Sequence, residues 1–118
     1  VSTIYGIDIL QDNVIACRER LLKQFNDQSY QYRQVIKHIL NLNIVWGDTL
    51  ALCIPNKKKD PIILPEWQLL KNGMIKRRDY KLVTLLSAPN QMDLFFDNIP
   101  TEYPAVHYLE LRGTNALP

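Results

Sequence analysis

Apolar residues alternate with small or acidic ones over Ile4-Tyr5-Gly6-Ile7-Asp8-Ile9-Leu10, which predicts a short strand broken at Gln11-Asp12-Asn13. A helix follows. Val14, Cys17, Leu21 and Phe25 recur at spacings of 3, 4 and 4, setting one apolar stripe opposite Arg18, Glu19 and Lys23, with Asp12 or Asn13 as the capping residue. After Asn26-Asp27-Gln28, Ser29 is placed to cap a second helix in which Tyr32, Val35, Ile36, Ile39 and Leu40 share a face, ending near Asn41. The two helices are expected to form a hairpin or to flank one side of a sheet.

Beyond Leu42 the pattern changes. Ile44 to Ile54 is β-rich and stops at Pro55-Asn56, with Gly47-Asp48 as a bulge or turn inside it. Lys57-Lys58-Lys59-Asp60-Pro61 reads as a solvated turn, Ile62-Ile63-Leu64 as a short apolar run closed by Pro65, and Glu66 to Leu70 as one helical turn ended by Asn72-Gly73. Strands are predicted at Tyr80 to Leu86 and Met92 to Phe96 around the turn Ser87-Ala88-Pro89-Asn90. A loop at Pro100-Thr101-Glu102-Tyr103-Pro104 then precedes an imperfectly alternating strand from Ala105 to Leu111. The expected class is α+β, two N-terminal helices packed on a mixed, mostly antiparallel sheet of four or five strands.

With 118 residues, 47% hydrophobic and 22% charged, the chain reads as a single domain spanning 1–118 with a core of its own, and disorder is excluded. No apolar run approaches the roughly 20 residues of a membrane helix, and Val1 to Tyr5 has no signal-peptide character, so no membrane partner is expected. Cys17 and Cys53 lie in apolar-periodic stretches and read as buried thiols of a reducing, intracellular compartment, cytoplasm or nucleus. The absent initiator Met suggests a domain excised from a larger protein.

The net charge of +2 conceals an uneven distribution. Between Lys57 and Lys81 stand eight basic residues against three acidic ones (Asp60, Glu66, Asp79), a local charge of +5 that leaves −3 for the rest. Lys57, Lys58 and Lys59 form one cluster and Lys76, Arg77 and Arg78 another, both expected in loops flanking Trp67, with Lys81 and the otherwise isolated Lys71 nearby. Such a region suits phosphate contact with release of condensed counterions, and an exposed Trp67 or Tyr80 would add a stacking face. The candidate nucleic-acid-binding residues are therefore Lys57, Lys58, Lys59, Lys76, Arg77, Arg78 and Lys81, acting as contacts that position a ligand without reading its sequence. Solvated loop charges are the competing explanation.

Motifs for metal ligation or nucleophilic catalysis (CxxC, HExxH, GxSxG, a Walker loop) are absent, and His38 and His107 read as structural or surface histidines. Three carboxylates remain as candidate metal ligands. Asp48 heads the apolar stretch Thr49-Leu50-Ala51-Leu52-Cys53-Ile54, Asp93 begins Leu94-Phe95-Phe96, and Asp79 stands two residues before Lys81. Asp48 and Asp93 on neighbouring strands suit Mg²⁺, and Asp48 with Asp79 and Lys81 suits a metal-dependent nuclease, in which Lys81 polarises the attacking water or stabilises phosphate charge.

Gly47-Asp48-Thr49-Leu50-Ala51-Leu52-Cys53-Ile54-Pro55, Gly73, Met92-Asp93-Leu94-Phe95-Phe96 and Leu111-Arg112-Gly113-Thr114 together resemble the palm of family X DNA polymerases and related nucleotidyltransferases. In that family a Gly-Asp-x-(Asp/Glu) strand and a later Asp-Leu-Phe-like strand supply the metal ligands, followed by an Arg-Thr-Gly-like turn. The resemblance spans Trp46 to Thr114 and implies Mg²⁺ held by Asp48 and Asp93. Leu50 stands where the second carboxylate falls, and the last turn reads Arg-Gly-Thr, which implies a divergent or inactive member.

Phe95, Phe96, Ile99, Tyr103, Tyr108, Leu109 and Leu111 exceed what one sheet face of this length hides, so a protein-interaction surface is the second expectation. The function expected is a non-catalytic, nucleic-acid-associated binding domain using the 57–81 region. A protein-interaction module and a divergent metal-dependent nucleotidyltransferase or nuclease are its alternatives. No cofactor is expected, other than Mg²⁺ if the domain is enzymatic.

Overall fold

A computed structural model of the chain describes residues 1–86 and 99–113. The order is strand β1 (Gly6–Asp8), helices α1 (Gln11–Lys23) and α2 (Tyr30–Asn43), then strands β2 (Ile44–Trp46), β3 (Cys53–Ile54), β4 (Lys57–Pro61), β5 (Ile63–Leu69) and β6 (Met74–Lys81). Helix α3 (Leu82–Leu85), strands β7 (Thr101–Glu102) and β8 (Val106–His107) and a 3₁₀ segment at Tyr108–Gly113 follow. The class is α+β, with the two N-terminal helices leading into mostly antiparallel strands. The strands divide into a parallel pair β1–β2, a hairpin β3–β4, and a four-stranded antiparallel sheet in which β6 pairs β5 on one side and both β7 and β8 on the other.

Both helices form where their apolar stripes predict. Neither Asp12 nor Asn13 caps helix α1: the N-cap position is Leu10, which makes no side-chain capping bond. Asp12 lies inside the first turn, where its charge favours the helix dipole, and Asp8 ahead of the helix accepts from Leu10 N at 2.8 Å and from Asn13 Nδ2 at 3.0 Å. These two bonds hold the Asp8 carboxyl below its ordinary value. Ser29 caps α2 by accepting from Tyr32 N at 3.2 Å, and the helix continues to Asn43, past the expected end at Asn41.

Helix α2 is the central element because it buries two faces. Ile36 and Leu40 pack with Val14, Cys17, Leu21 and Phe25 of the α1 region and with Ile44. Val35 and Ile39 pack on Ile75, Trp67, Val106 and Leu111 of the sheet side. Asn43, fully buried at the end of α2, donates from Nδ2 to the carbonyls of Val1 and Ser2 (both 3.3 Å) and accepts from Trp67 Nε1 at 2.7 Å. A third cluster, Ile62, Leu64 and Leu82 with Ile7, Val45 and Leu52, joins the parallel pair to the large sheet.

Four expectations for the second half are corrected. Lys57–Pro61 is a strand rather than a turn, because Asn56 adopts φ 63° after Pro55 and reverses the chain so that Lys57 opposes Ile54. Residues 66–70 are not a helical turn: β5 runs on through Pro65 to Leu69, held by a register that pairs Ile63 with Lys81 and Leu69 with Ile75. Leu82 N bonds Ile62 O and Leu70 N bonds Met74 O, each at 2.8 Å, which puts the even-numbered residues of β5 in the hydrogen-bonded positions. Pro65 therefore turns away from β6, where no ladder N–H is missed, and its carbonyl accepts from Tyr5 Oη at 2.6 Å.

The strand expected at Tyr80–Leu86 ends at Lys81, and Leu82–Leu85 turns into a helix that buries Leu82 and Thr84. The strand expected at Ala105–Leu111 is confined to Val106–His107 before the 3₁₀ segment. The strand expected at Met92–Phe96 lies outside the described residues. Among the described residues, no helix is long and apolar enough to cross a membrane.

Candidate functional site

The basic residues of β6 lie in a strand, and the pleat sends them to opposite faces. Arg77 and Asp79 share one face. Arg77 donates from Nε and Nη2 to the two oxygens of Asp79 at 2.7 and 2.6 Å, a bidentate pair whose side chains are 15% and 11% exposed. The guanidinium lies 4.0 Å from the Tyr103 ring centroid and 5.9 Å from that of Trp67, and Tyr103 Oη donates to Asp79 Oδ2 at 3.3 Å. Burial, reinforced by the Asp79 charge, pushes the Tyr103 phenol above its ordinary value.

On the opposite face Glu102 of β7 gathers the other two cations. Arg78 Nε is 2.9 Å from Glu102 Oε1, and Lys76 Nζ is 3.8 Å from Glu102 Oε2. Glu66 stands directly across from Arg78 in the β5–β6 register. Lys81 is half-buried at the end of β6, opposite Ile63. A phosphate approaching Arg77 would have to displace Asp79, and one approaching Lys76 or Arg78 would compete with the Glu102 carboxylate the two share.

The first cluster is different. Lys57, Lys58 and Lys59 are all exposed on β4, and among the described residues none forms an ion pair. The β3–β4 register jumps between Cys53 and Ile54, which pair with Pro61 and Lys57, so Lys58 and Lys59 lie in a bulged stretch with Asp60 as the neighbouring acid. Neither expected stacking face is available to them. The Trp67 indole is hydrogen-bonded to Asn43 and covered by Arg77, and Tyr80 is half-buried against a small cleft with Tyr5, Leu64 and Leu85.

The candidate metal ligands are not brought together by the described residues. Asp48 sits in a turn rather than at the head of a strand through Thr49–Ile54, of which only Cys53–Ile54 is extended. Its Oδ1 accepts from Leu50 N at 3.0 Å and Ala51 N at 3.1 Å, while its main chain pairs with Cys53. Asp79 is held by Arg77, and Asp93 lies outside the described residues. No group of three or more His, Cys, Asp or Glu positioned to hold a metal occurs among the described residues. Gly47 has a packing reason of its own, since a Cβ there would meet Ile62 Cδ1 at 2.6 Å.

His107 stacks on Tyr108 with ring centroids 4.5 Å apart and accepts at Nδ1 from Leu109 N at 3.2 Å, as a structural histidine does. Cys53 is buried and Cys17 half-buried, both as free thiols. Two features were not foreseen from sequence. One is Leu50, 97% exposed on the Asp48 turn, for which the Gly-Asp-Thr turn composition is a local signal. The other is an open groove of about 540 Å³ whose lining includes Phe25, Tyr32, Val35, Leu69, Met74 and Tyr108 from four separate parts of the chain.

Comparison of the chain with protein-family models, with curated proteins and with solved structures gives no match.

Proposed function

We propose that this chain is a nucleic-acid-associated domain that binds without catalysing a reaction, holding phosphates through Lys57, Lys58 and Lys59. The observation that carries the reading is the contrast between the two basic clusters. Three consecutive lysines project from one hairpin strand with no carboxylate partner among the described residues, whereas Lys76, Arg77 and Arg78 face Glu102 and Asp79 at 2.6 to 3.8 Å. Unpaired lysines keep their counterion-releasing capacity; paired ones must first give up a carboxylate. Lysines on a flexible stem act as point charges on phosphate oxygens, so the contact positions a ligand without reading its bases.

The test is an anisotropy titration of single- and double-stranded oligonucleotides with the wild type and with Lys57→Glu/Lys58→Glu/Lys59→Glu, at low and at physiological salt, with and without EDTA. The expected result is binding that weakens with salt, survives chelation and disappears in the triple variant. Binding that persists in the triple variant, or that requires a divalent ion, overturns the proposal.

A second reading, a protein-interaction module, is favoured by the groove beside α2, at whose lip Leu69 is 70% and Leu70 40% exposed. Leu69→Asp separates the two readings. It leaves oligonucleotide affinity unchanged if the lysines are the site, and it removes any concentration-dependent mass if the groove is.

A further inference from the structure

Leu50 is the most exposed large apolar residue among those described, at 97%, and the turn that carries it is braced. Asp48 N and Cys53 N each bond the other's carbonyl, at 2.8 and 3.3 Å, while Asp48 Oδ1 ties down the amides of Leu50 and Ala51. Leu52 adopts φ 60°, a left-handed conformation that non-glycine residues avoid, and its side chain returns to the cluster of Ile62, Leu64 and Leu82. A strained residue at one end and a carboxylate at the other thus hold a single large side chain out in water, between the small exposed Thr49 and Ala51.

The turn and the lysines belong to one unit. Cys53 pairs with Asp48 on one side and with Pro61 on the other, so residues 49–52 and the Lys57–Pro61 strand are joined through the same short strand. We infer that Leu50 is an apolar wedge that enters a base step of duplex DNA whose phosphates are held by Lys57, Lys58 and Lys59; this rests on the nucleic-acid reading above. Insertion of an aliphatic side chain between base pairs unstacks one step and kinks the duplex by about 20–90°, and flanking cations compensate the crowded phosphates.

The chemistry of the turn favours a duplex over other anionic surfaces. A bilayer interface rewards several bulky apolar or aromatic side chains side by side, and here Leu50 stands between a threonine and an alanine. Single strands call for aromatic stacking platforms, and none stands in residues 48–61, which carry both the turn and the lysines.

The experiment uses the whole chain and a duplex of about 25 base pairs labelled at both ends, read by energy transfer for bending and by anisotropy for affinity. Wild type is expected to shorten the end-to-end distance. Leu50→Ala, at a site exposed enough to leave folding alone, is expected to bind about tenfold more weakly, keep the salt dependence and leave the duplex straight. Leu50→Met should retain the bend. Equal bending by Leu50→Ala overturns the wedge, as does lysine-dependent binding by the wild type to an unbent duplex, and both of these leave the lysine reading standing. No binding of any oligonucleotide at low salt overturns both. Leu50-dependent binding to phosphatidylserine vesicles without duplex binding overturns the inference in favour of a membrane surface.

Discussion

Replacing Lys57, Lys58 and Lys59 together by Ala removes the exposed cations of β4 that lack a carboxylate partner among the described residues, and the size of the effect follows from their number. Each phosphate neutralised on a duplex contributes about −0.9 to the slope of log K against log salt, so three contacts set an upper bound near −2.7. Raising monovalent salt from about 50 mM to about 200 mM should then weaken wild-type binding about 40-fold. Extrapolated to a 1 M reference, the same slope represents about 500-fold of affinity at 0.1 M salt, which the triple variant should forfeit while its slope collapses toward zero. Each single Lys→Ala variant should lower the slope by about 0.9, because the three side chains are separately exposed. Lys76→Ala and Arg78→Ala should each lower it by less than a β4 lysine does, since Glu102 offsets one of their two charges. Anisotropy titrations at four salt concentrations measure all of these slopes. Surface substitutions on β4 should hold stability to within about 0.5 kcal/mol, so a lost slope cannot be blamed on unfolding. A wild-type slope near zero, or one carried by Lys76 and Arg78 instead, refutes the reasoning.

The remaining predictions concern what holds the site in place. Asn43→Ala strips Trp67 Nε1 of its acceptor and the Val1 and Ser2 carbonyls of their donor, and should cost about 2–4 kcal/mol, lowering the melting temperature by about 10 °C; a loss below about 1 kcal/mol in urea denaturation would sink it. Arg77→Ala abandons a carboxylate that is 11% exposed and, after a discount for that residual solvent, should destabilise by about 2–3 kcal/mol against less than about 1 kcal/mol for Arg78→Ala; equal losses in the two variants would contradict the pairing. Gly47→Ala drives a Cβ to 2.6 Å from the side chain of Ile62, which is fully buried and has nowhere to go, and should cost about 1–3 kcal/mol by thermal denaturation. Asp8 is depressed by its bonds to Leu10 N and Asn13, so its contribution is fully present above the ordinary aspartate range and is lost as pH falls through its folded value. Wild type should accordingly be more stable than Asp8→Ala at neutral pH and converge with it in acid, and a constant difference across that window would refute the role of the carboxylate.

The helices were legible because each buries a stripe along its length. Val14, Cys17, Leu21 and Phe25 sit together against Ile36 and Leu40, and Ser29 performs the capping that its position before Tyr30 implies. The strands were less legible for two physical reasons. Strand β4 has no buried face beyond Pro61, so Lys57-Lys58-Lys59-Asp60 shows no alternation, and its existence depends on the reversal at Asn56. Strand β5 contains a proline that only an edge position tolerates, and edge status is a property of the sheet rather than of the segment. The candidate site was half legible for the same reason. That β6 is basic could be counted, but the approach of Glu102 to Lys76 and Arg78 depends on a pairing across more than twenty positions, with no local trace. Gly47-Asp48, read as the head of a strand, is a close contact followed by a carboxylate-capped turn, and residue types alone do not separate those roles.

The lysines of β4 have one structural use that competes with binding. An edge strand with open main-chain groups invites pairing with another chain, and lysines on such an edge are a common protection against it. Both uses predict three exposed, unpaired lysines, so exposure cannot decide between them; what they predict on removal differs in kind. If protection is their role, Lys57→Ala/Lys58→Ala/Lys59→Ala should bind oligonucleotides as the wild type does, or not at all in either case, and should self-associate with a mass that rises with concentration. If binding is their role, the triple variant stays at the wild-type mass and loses the salt-dependent affinity. The register of β3 and β4 favours the second outcome. The jump between Cys53 and Ile54 sets Lys58, Lys59 and Asp60 in a bulge, and a bulged edge already resists pairing without the help of charge. On the proposed reading, three lysines on an edge that is protected by its own geometry serve a ligand, and light scattering beside the anisotropy titration gives both readouts on one sample.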